Sequence, residues 1–415
     1  MTFIYMKKIL LNIISIFSFS AAVFAAQGYD VAAFVWPAYQ PEPRWSELGI
    51  FKHGKGEWQS IYEAKPKFKG HKQPKVPLWG YENEADPIVV ARKIDAALAA
   101  GVNVFIYDWY WYENKPFLQN GIDNGFLKAP NNERMKFYIM WANHNVDDLW
   151  DNTKPVKPTK LPHLNAKVNL EQFKNIANQW VEKYFKRPNY YKIDGKPVFM
   201  IYLPNSFVNQ IGGVKEAHKA LDYLREIVKK AGFPGVHLQA QFEQWWAMNP
   251  FKLKGNDKDY TLKELINEFG YDSALCYNWL CIESFGGSYY KDERKDMDYT
   301  EWGEKAMAKF PELKKLCGVP FIPNVTCGWD TNPRFPQNAY RVIATGQSPK
   351  AFEMFLRKAQ SWCDTQLPAG MPKIITINSW NEWSEGSYLE PDAEFGYGYL
   401  NALARVFGPN GQATE

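Results

Sequence analysis

The chain has 415 residues, of which 46% are hydrophobic and 23% charged, a balance that excludes a disordered chain and allows a large buried core. The formal net charge of +4, with no dense run of Lys or Arg, leaves no electrostatic footprint for nucleic acid. Aromatic residues reach 16%, including 17 Trp, a content that suits stacking on the apolar faces of sugar rings or bases.

Residues 1–25, MTFIYMKKILLNIISIFSFSAAVFA, combine Lys7 and Lys8, a short apolar run and small residues, with Val23 and Ala25 at the −3 and −1 positions of a cleavage site. The pattern predicts a secretory signal, because the apolar stretch is too short and too interrupted for a membrane span. The expected mature chain starts near Ala26, is periplasmic or extracellular, has no Cys beside the cleavage point for a lipid, and has no membrane span. Without Lys7 and Lys8, 47 basic residues face 45 acidic ones, a net charge of +2.

Eight short apolar runs follow: VAAFVW (31–36), VNVFIYDW (102–109), MKFYIMWAN (135–143), KPVFMIYL (196–203), VHLQAQFE (236–243), SALCYNW (273–279), VPFIPNV (319–325) and KIITINSW (373–380). Continuous apolar runs, rather than strict alternation, suit strands covered on both faces of a parallel sheet. Helical periodicity fills the gaps. Asp86-Pro87 opens one helix and Gly101 closes it. Val214, Ala217, Leu221, Leu224 and Val228 form the stripe of another, which ends at Gly232. NLEQFKNIANQWVEKYF and KAFEMFLRKAQSWCDT precede the fourth and eighth strands. Eight strand–helix units predict a single (β/α)8 TIM barrel over residues 28–415, with 37–85 and 243–270 as long loop insertions. An open doubly wound sheet is disfavoured, since no Gly-rich phosphate loop follows the first strand.

In such a barrel the active site forms at the C-terminal ends of the strands. The eight ends offer Trp36 and Tyr39; Asp108, Trp109 and Trp111; Trp141, Asn143 and His144; Tyr202; Gln241 and Glu243; Asn278 and Trp279; Trp329, Asp330 and Arg334; and Trp380, Asn381, Glu382 and Glu385. Aromatics, amides and carboxylates converging on one mouth are the chemistry of a carbohydrate cleft. Trp36, Asp108, Trp109, Trp141, Asn143, Tyr202, Asn278, Trp380 and Asn381 are therefore the expected substrate contacts. Structural readings stand beside these: Trp36, Trp141 and Trp279 also suit plugs of the barrel top, and Asp108 also suits a cap or ion pair. Asn143 and His144 serve equally as loop hydrogen bonders. Asp330 with Arg334 reads as a structural salt bridge, Glu390 as a loop anchor, and Asn324-Val325-Thr326 as a chance sequon.

Glu382 and Glu385 stand apart from the rest. Two carboxylates among Trp380, Trp383 and Tyr388, behind a buried strand, raise each other's pKa by repulsion and desolvation. A pair so perturbed can supply one acid and one base, as glycoside cleavage requires. The five cysteines (Cys276, Cys281, Cys317, Cys327 and Cys363) show no CxxC, and the six histidines no HExxH, so no metal and no cofactor are expected. One or two disulfides would suit an exported protein.

The stretch NSWNEWSEGSYLEPD, followed by GYGYLNAL, and the stretches VNVFIYDWYWYE, MKFYIMWANHN and GWDTNPRF resemble the glycoside hydrolase family 99-like, WbsX-type group over about Tyr29 to Phe407. The resemblance implies a (β/α)8 fold and a retaining hydrolase of α-linked, mannose-configured or similar oligo- or polysaccharides. It implies that Glu382 deprotonates the sugar 2-hydroxyl, whose oxygen then displaces the leaving group, while Glu385 protonates that group and later activates water. The sequence does not choose between this route and a carboxylate nucleophile. The alternatives are a WbsX-type glycosyltransferase, for which no nucleotide-phosphate loop is visible, and a non-catalytic glycan-binding barrel.

Overall fold

The computed structural model describes residues 28–146, 152, 163–284 and 296–409; the expected signal segment, 1–25, lies outside the described residues. Eight parallel strands form the barrel: β1 (Tyr29–Val35), β2 (Val104–Tyr112), β3 (Lys136–Trp141), β4 (Lys196–Ile201), β5 (His237–Gln241), β6 (Ser273–Leu275), β7 and β8 (Lys373–Asn378). β7 is split, Phe321–Ile322 pairing with β6 and Asn324–Thr326 with β8. Pro323 causes the break, because it has no N–H to give the ladder. Its carbonyl still accepts from Thr376 N at 3.0 Å, so the ring closes through the interruption.

The helical layer follows the sequence signals. Helix α1 (Pro87–Ala100) is capped by the Asp86 side chain, which accepts from Ile88 N, and ends at Gly101 with φ 94. Gly101 is required twice over, by its positive φ and because a Cβ there would lie 2.6 Å from the Phe407 carbonyl. Helix α2 (Leu170–Trp180) starts with a capping box between Asn169 and Gln172. Helix α3 (Val214–Lys230) buries Ala217, Leu221, Leu224 and Val228. Helices α4 (Pro349–Gln366) and α5 (Gly398–Phe407) complete the wall beside α1. The 37–85 insertion folds over the mouth through short helices Pro43–Leu48 and Trp58–Tyr62. The 243–270 segment is not all loop. It contains the barrel helix Leu262–Phe269, which opens with a capping box between Thr261 and Glu264.

Alternation along the strands decides which aromatics face the barrel interior. On β2, Asp108 and Tyr110 turn toward the mouth cavity, so Trp109 and Trp111 turn outward. Trp109 meets Trp180 of α2 edge-on at 5.2 Å, and Trp141 of β3 lies 5.4 Å from the same ring. These indoles join barrel to helix. Trp109→Ala is expected to cost about 3–5 kcal/mol of stability, the usual loss for a buried Trp, read as a fall in the midpoint of thermal unfolding. A variant as stable as the parent would show that the indole does not hold α2.

Candidate active site at the barrel mouth

Beyond β8 the chain makes a loop with little freedom. Ser379 Oγ donates to the Ser387 carbonyl at 2.7 Å and accepts from Glu382 N at 2.8 Å, while Ser387 Oγ donates to the Asn378 carbonyl at 2.7 Å. Asn381–Glu382 and Ser387–Tyr388 pair antiparallel, and Trp383–Glu385 form a single 3-10 turn between them. Beneath lies a buried ion triad. Lys93 reaches Glu84 and Glu390 at 2.5 Å each, Glu84 accepts from Asn381 Nδ2, and Glu390 accepts from Trp383 Nε1 at 2.8 Å. Burial first, and then Glu390, push the Glu84 carboxyl up to about 7 against the pull of Lys93. Glu390 thus anchors the loop, as its position suggested.

The two glutamates share one cation. Arg334 gives Nη1 to Glu385 Oε1 at 2.6 Å, Nη2 to Glu382 Oε2 at 3.2 Å and Nε to Glu57 Oε1 at 3.0 Å and Ser384 Oγ at 2.8 Å. Glu57 also accepts from Trp36 Nε1. Tyr277 OH lies 3.1 Å from Glu382 Oε1 and 3.2 Å from Asp108 Oδ2. A phenol has one proton to give, so both contacts can be hydrogen bonds only if one of those carboxyls is itself protonated. The electrostatics agree. Desolvation, reinforced by Glu385, holds Glu382 well above the ordinary carboxylate range, and desolvation also raises Asp108 and Glu385. Arg334 pulls both glutamates back down, Glu385 at the shorter distance.

Two connected spaces meet at this cluster. An inner chamber of about 160 Å³ is walled by Trp36, Asp108, Tyr110, His144, Glu382 and other residues. An outer groove of about 730 Å³ runs past Glu243, Asn278 and Trp329. Tyr202, Tyr277, Arg334 and Glu385 line both. Glu382 belongs to the chamber alone. Glu385 stands at the junction, and its Oε2 is buried with no hydrogen-bond partner among the described residues.

Of the expected substrate contacts, Trp36, Asp108 and Tyr202 do wall the chamber, and Asn278 lines the groove while its Oδ1 caps Cys281 N at 3.1 Å. Five lie elsewhere. Trp109 and Trp141 face the helices. Trp380 packs against Phe105 at 5.3 Å, on the α1 side of the barrel wall. Asn143 clamps Leu203 through both its N–H and its carbonyl. Asn381 ties the Trp36 backbone to Glu84, which makes it a positioning residue for Glu382. Asp330 does not pair with Arg334. It accepts instead from Gln73 Nε2 at 2.7 Å and contacts His71 Nε2 at 2.8 Å. Residues that sequence reasoning passed over are Glu57, Tyr110, Tyr277 and the central role of Arg334. The sequon Asn324 is buried, donating to the Tyr277 carbonyl at 3.0 Å, and the five cysteines are all unbridged. Among the described residues no group of His, Cys, Asp and Glu is arranged to hold a metal ion, and no helix is long and apolar enough to cross a membrane.

The sequence pattern of the family described as Glycosyltransferase WbsX matches residues 31–403. The chain belongs to this WbsX family. Two curated relatives, each described as Uncharacterized protein WxcX, from two strains of Xanthomonas campestris pv. campestris, are 25% identical over 377 residues. That alignment covers 91% of this chain and 49% of theirs, so the chain spans about half the length of the curated relatives it matches. Among solved structures, a Glycoside hydrolase-like protein superposes with a TM-score of 0.56 at 16% identity, covering 92% of this chain and 94% of that one. The GH99 endo-alpha-mannosidase from Bacteroides thetaiotaomicron, in complex with Bis-Tris propane, does so with a TM-score of 0.50 at 16% identity, covering 92% and 95%. At these identities the likeness is one of fold: this WbsX member shares the (β/α)8 barrel of those structures.

The shared cation gives a pH-dependent test. Groups whose pKa is raised by folding favour the protonated native state, so their contribution to stability fades as pH rises through the folded values. Without Arg334, Glu382 and Glu385 lose their main counter-charge and rise further. Arg334→Gln is therefore expected to lose about 3–5 kcal/mol near neutral pH, with the loss shrinking in acid as the two glutamates take up protons. Unfolding midpoints of both proteins between about pH 4 and 8 decide it, and a pH-independent difference would remove the charge-sharing account.

Proposed function

We propose that this WbsX-family chain is an exported glycoside hydrolase that cleaves α-linked, mannose-configured or similar glycans with retention. The observation that carries the reading is the placement of the two glutamates, Glu382 lining the chamber alone and Glu385 lining both chamber and groove. A sugar in the chamber would present its 2-hydroxyl to Glu382 and its glycosidic oxygen to Glu385. The endo-alpha-mannosidase with the same fold motivates the choice of sugar.

In the first step Glu382, ionised, takes the 2-hydroxyl proton. That oxygen attacks C1 as the C1–O bond to the leaving group breaks, and Glu385 gives its proton to the departing oxygen. Glu385 Oε2 suits this donation, because Oε1 is already held by Arg334. In the second step Glu385 takes a proton from water, whose oxygen opens the 1,2-anhydro ring at C1, and Glu382 returns the proton to O2. Two inversions give net retention. Burial raises both carboxyls, and this scheme needs the proton on Glu385. A 2-hydroxyl donating to Glu382 and a glycosidic oxygen accepting from Glu385 both drive it that way.

Reducing-end release from a panel of α-mannans, rhamnose-containing polysaccharides and plant or host glycans tests the activity. Glu382→Gln and Glu385→Gln are each expected to fold normally and lose roughly 10²–10⁴-fold in kcat. An aryl glycoside, whose leaving group needs little protonation, should restore the glycosyl-transfer step of Glu385→Gln and not that of Glu382→Gln. Methylation of the substrate 2-hydroxyl should abolish cleavage. Normal cleavage of the methylated substrate would return the mechanism to a carboxylate nucleophile, and full activity in either Gln variant would remove the pair from catalysis.

The family's description as a glycosyltransferase favours one other reading, in which the same pair passes a sugar to an acceptor other than water. Consumption of a nucleotide sugar, with no release from any glycan of the panel, would select it. Export is part of the proposal and rests on residues 1–25 of the sequence. Mass spectrometry of the protein made in its host should find the N-terminus near Ala26, and an intact Met1 or Met6 would count against it.

A further inference from the structure

Among the described residues the most exposed large apolar side chain is Trp245, 71% accessible, followed within the same helix by Met248 at 54%. Both belong to Gln244–Met248, which leaves the end of β5 and forms one wall of the outer groove. The helix is firmly seated. Trp246 packs inward against the core, and Lys309 Nζ donates to Gln244 Oε1 at 2.9 Å while pairing with Glu283. The Trp245 indole, beside its inward-turned neighbour, is exposed and takes no part in the core. Contiguous exposed apolar surface beside a cleft marks a binding surface, and a flat aromatic face with Glu243, Asn249 and Asn278 around the same groove is suited to a sugar ring, apolar on its faces and hydroxylated on its edges.

The groove is also far larger than one leaving atom needs. It measures about 730 Å³ against about 160 Å³ for the chamber, and its lining shares Glu385 with the chamber but not Glu382. We propose that Trp245 is the stacking platform of a distal subsite, holding a further sugar residue on the leaving-group side of the scissile bond, and that the substrate is accordingly an oligo- or polysaccharide rather than a small glycoside. This rests on the hydrolase reading for the direction of the chain, while the binding itself can be measured without cleavage.

The full-length Glu385→Gln protein is titrated by calorimetry with size-graded oligosaccharides prepared by partial acid hydrolysis of each panel polysaccharide. For at least one polysaccharide, affinity should rise with length. Adding Trp245→Ala should flatten that rise, weakening the longest ligands by roughly 2- to 12-fold, the range of one aromatic stack. Trp245→Phe should retain most of it, and an unchanged unfolding midpoint should accompany both. Equal weakening at every length, a length dependence indifferent to Trp245, or no binding to any of the glycans would overturn the subsite. Trp245-dependent binding of a glycan that the wild-type protein never cleaves would keep the subsite and overturn the hydrolase reading.

Discussion

The mouth of this barrel is organised by one buried guanidinium. Arg334, itself 8% exposed, faces Glu57, Glu382 and Glu385 with three of its nitrogens. A single positive charge cannot neutralise three ionised carboxylates in a region of low dielectric, with Asp108 a further acid close by. The cluster must therefore hold at least one proton. The planar fork of Arg suits this better than Lys would, since separate nitrogens serve separate carboxylates without losing direction. The same contact ties together the first insertion, the loop after β7 and the loop after β8.

Positioning around that contact is layered. The Lys93–Glu84–Glu390 triad holds Asn381 and Trp383, and the paired serines lock the turn between β8 and Glu382. Neither layer touches the chamber, yet each restrains the backbone on either side of a glutamate. Two glutamates three residues apart in one loop have little freedom to be placed independently. The supporting hydrogen bonds supply the placement that rigid strands would otherwise give.

The aromatic richness turns out to serve two ends. Trp109, Trp111, Trp141 and Trp180 make a continuous indole seam between the barrel and α2. Tyr39, Tyr110, Tyr202 and Tyr277 lie at the mouth, where hydroxyl groups can answer carboxylates. Trp36 and Trp329 share the mouth with these tyrosines, but the two ring types answer a carboxylate differently. An indole donates only through its one N–H, whereas a phenol both donates and accepts.

The sequence by itself determined the eight strands, the principal helix caps and the Glu382–Glu385 pair. Each is a local pattern: a strand buried on both faces needs an unbroken apolar run, a cap needs its residue at the helix end, and the pair lies within one turn. It did not determine which residue at each strand end faces the chamber. That depends on strand parity at the mouth, so Trp109 and Trp141 proved to be wall while Asp108 and Tyr110 proved to be site. Nor could it place Glu57, Tyr277 and Arg334 together. Arg334 lies 277 positions from Glu57 and 48 from Glu382, and Tyr277 lies 169 from Asp108. Contacts at such separations exist only because the ring closes across Pro323, bringing distant strand ends to one mouth, where a single cation selects among the carboxylates that arrive.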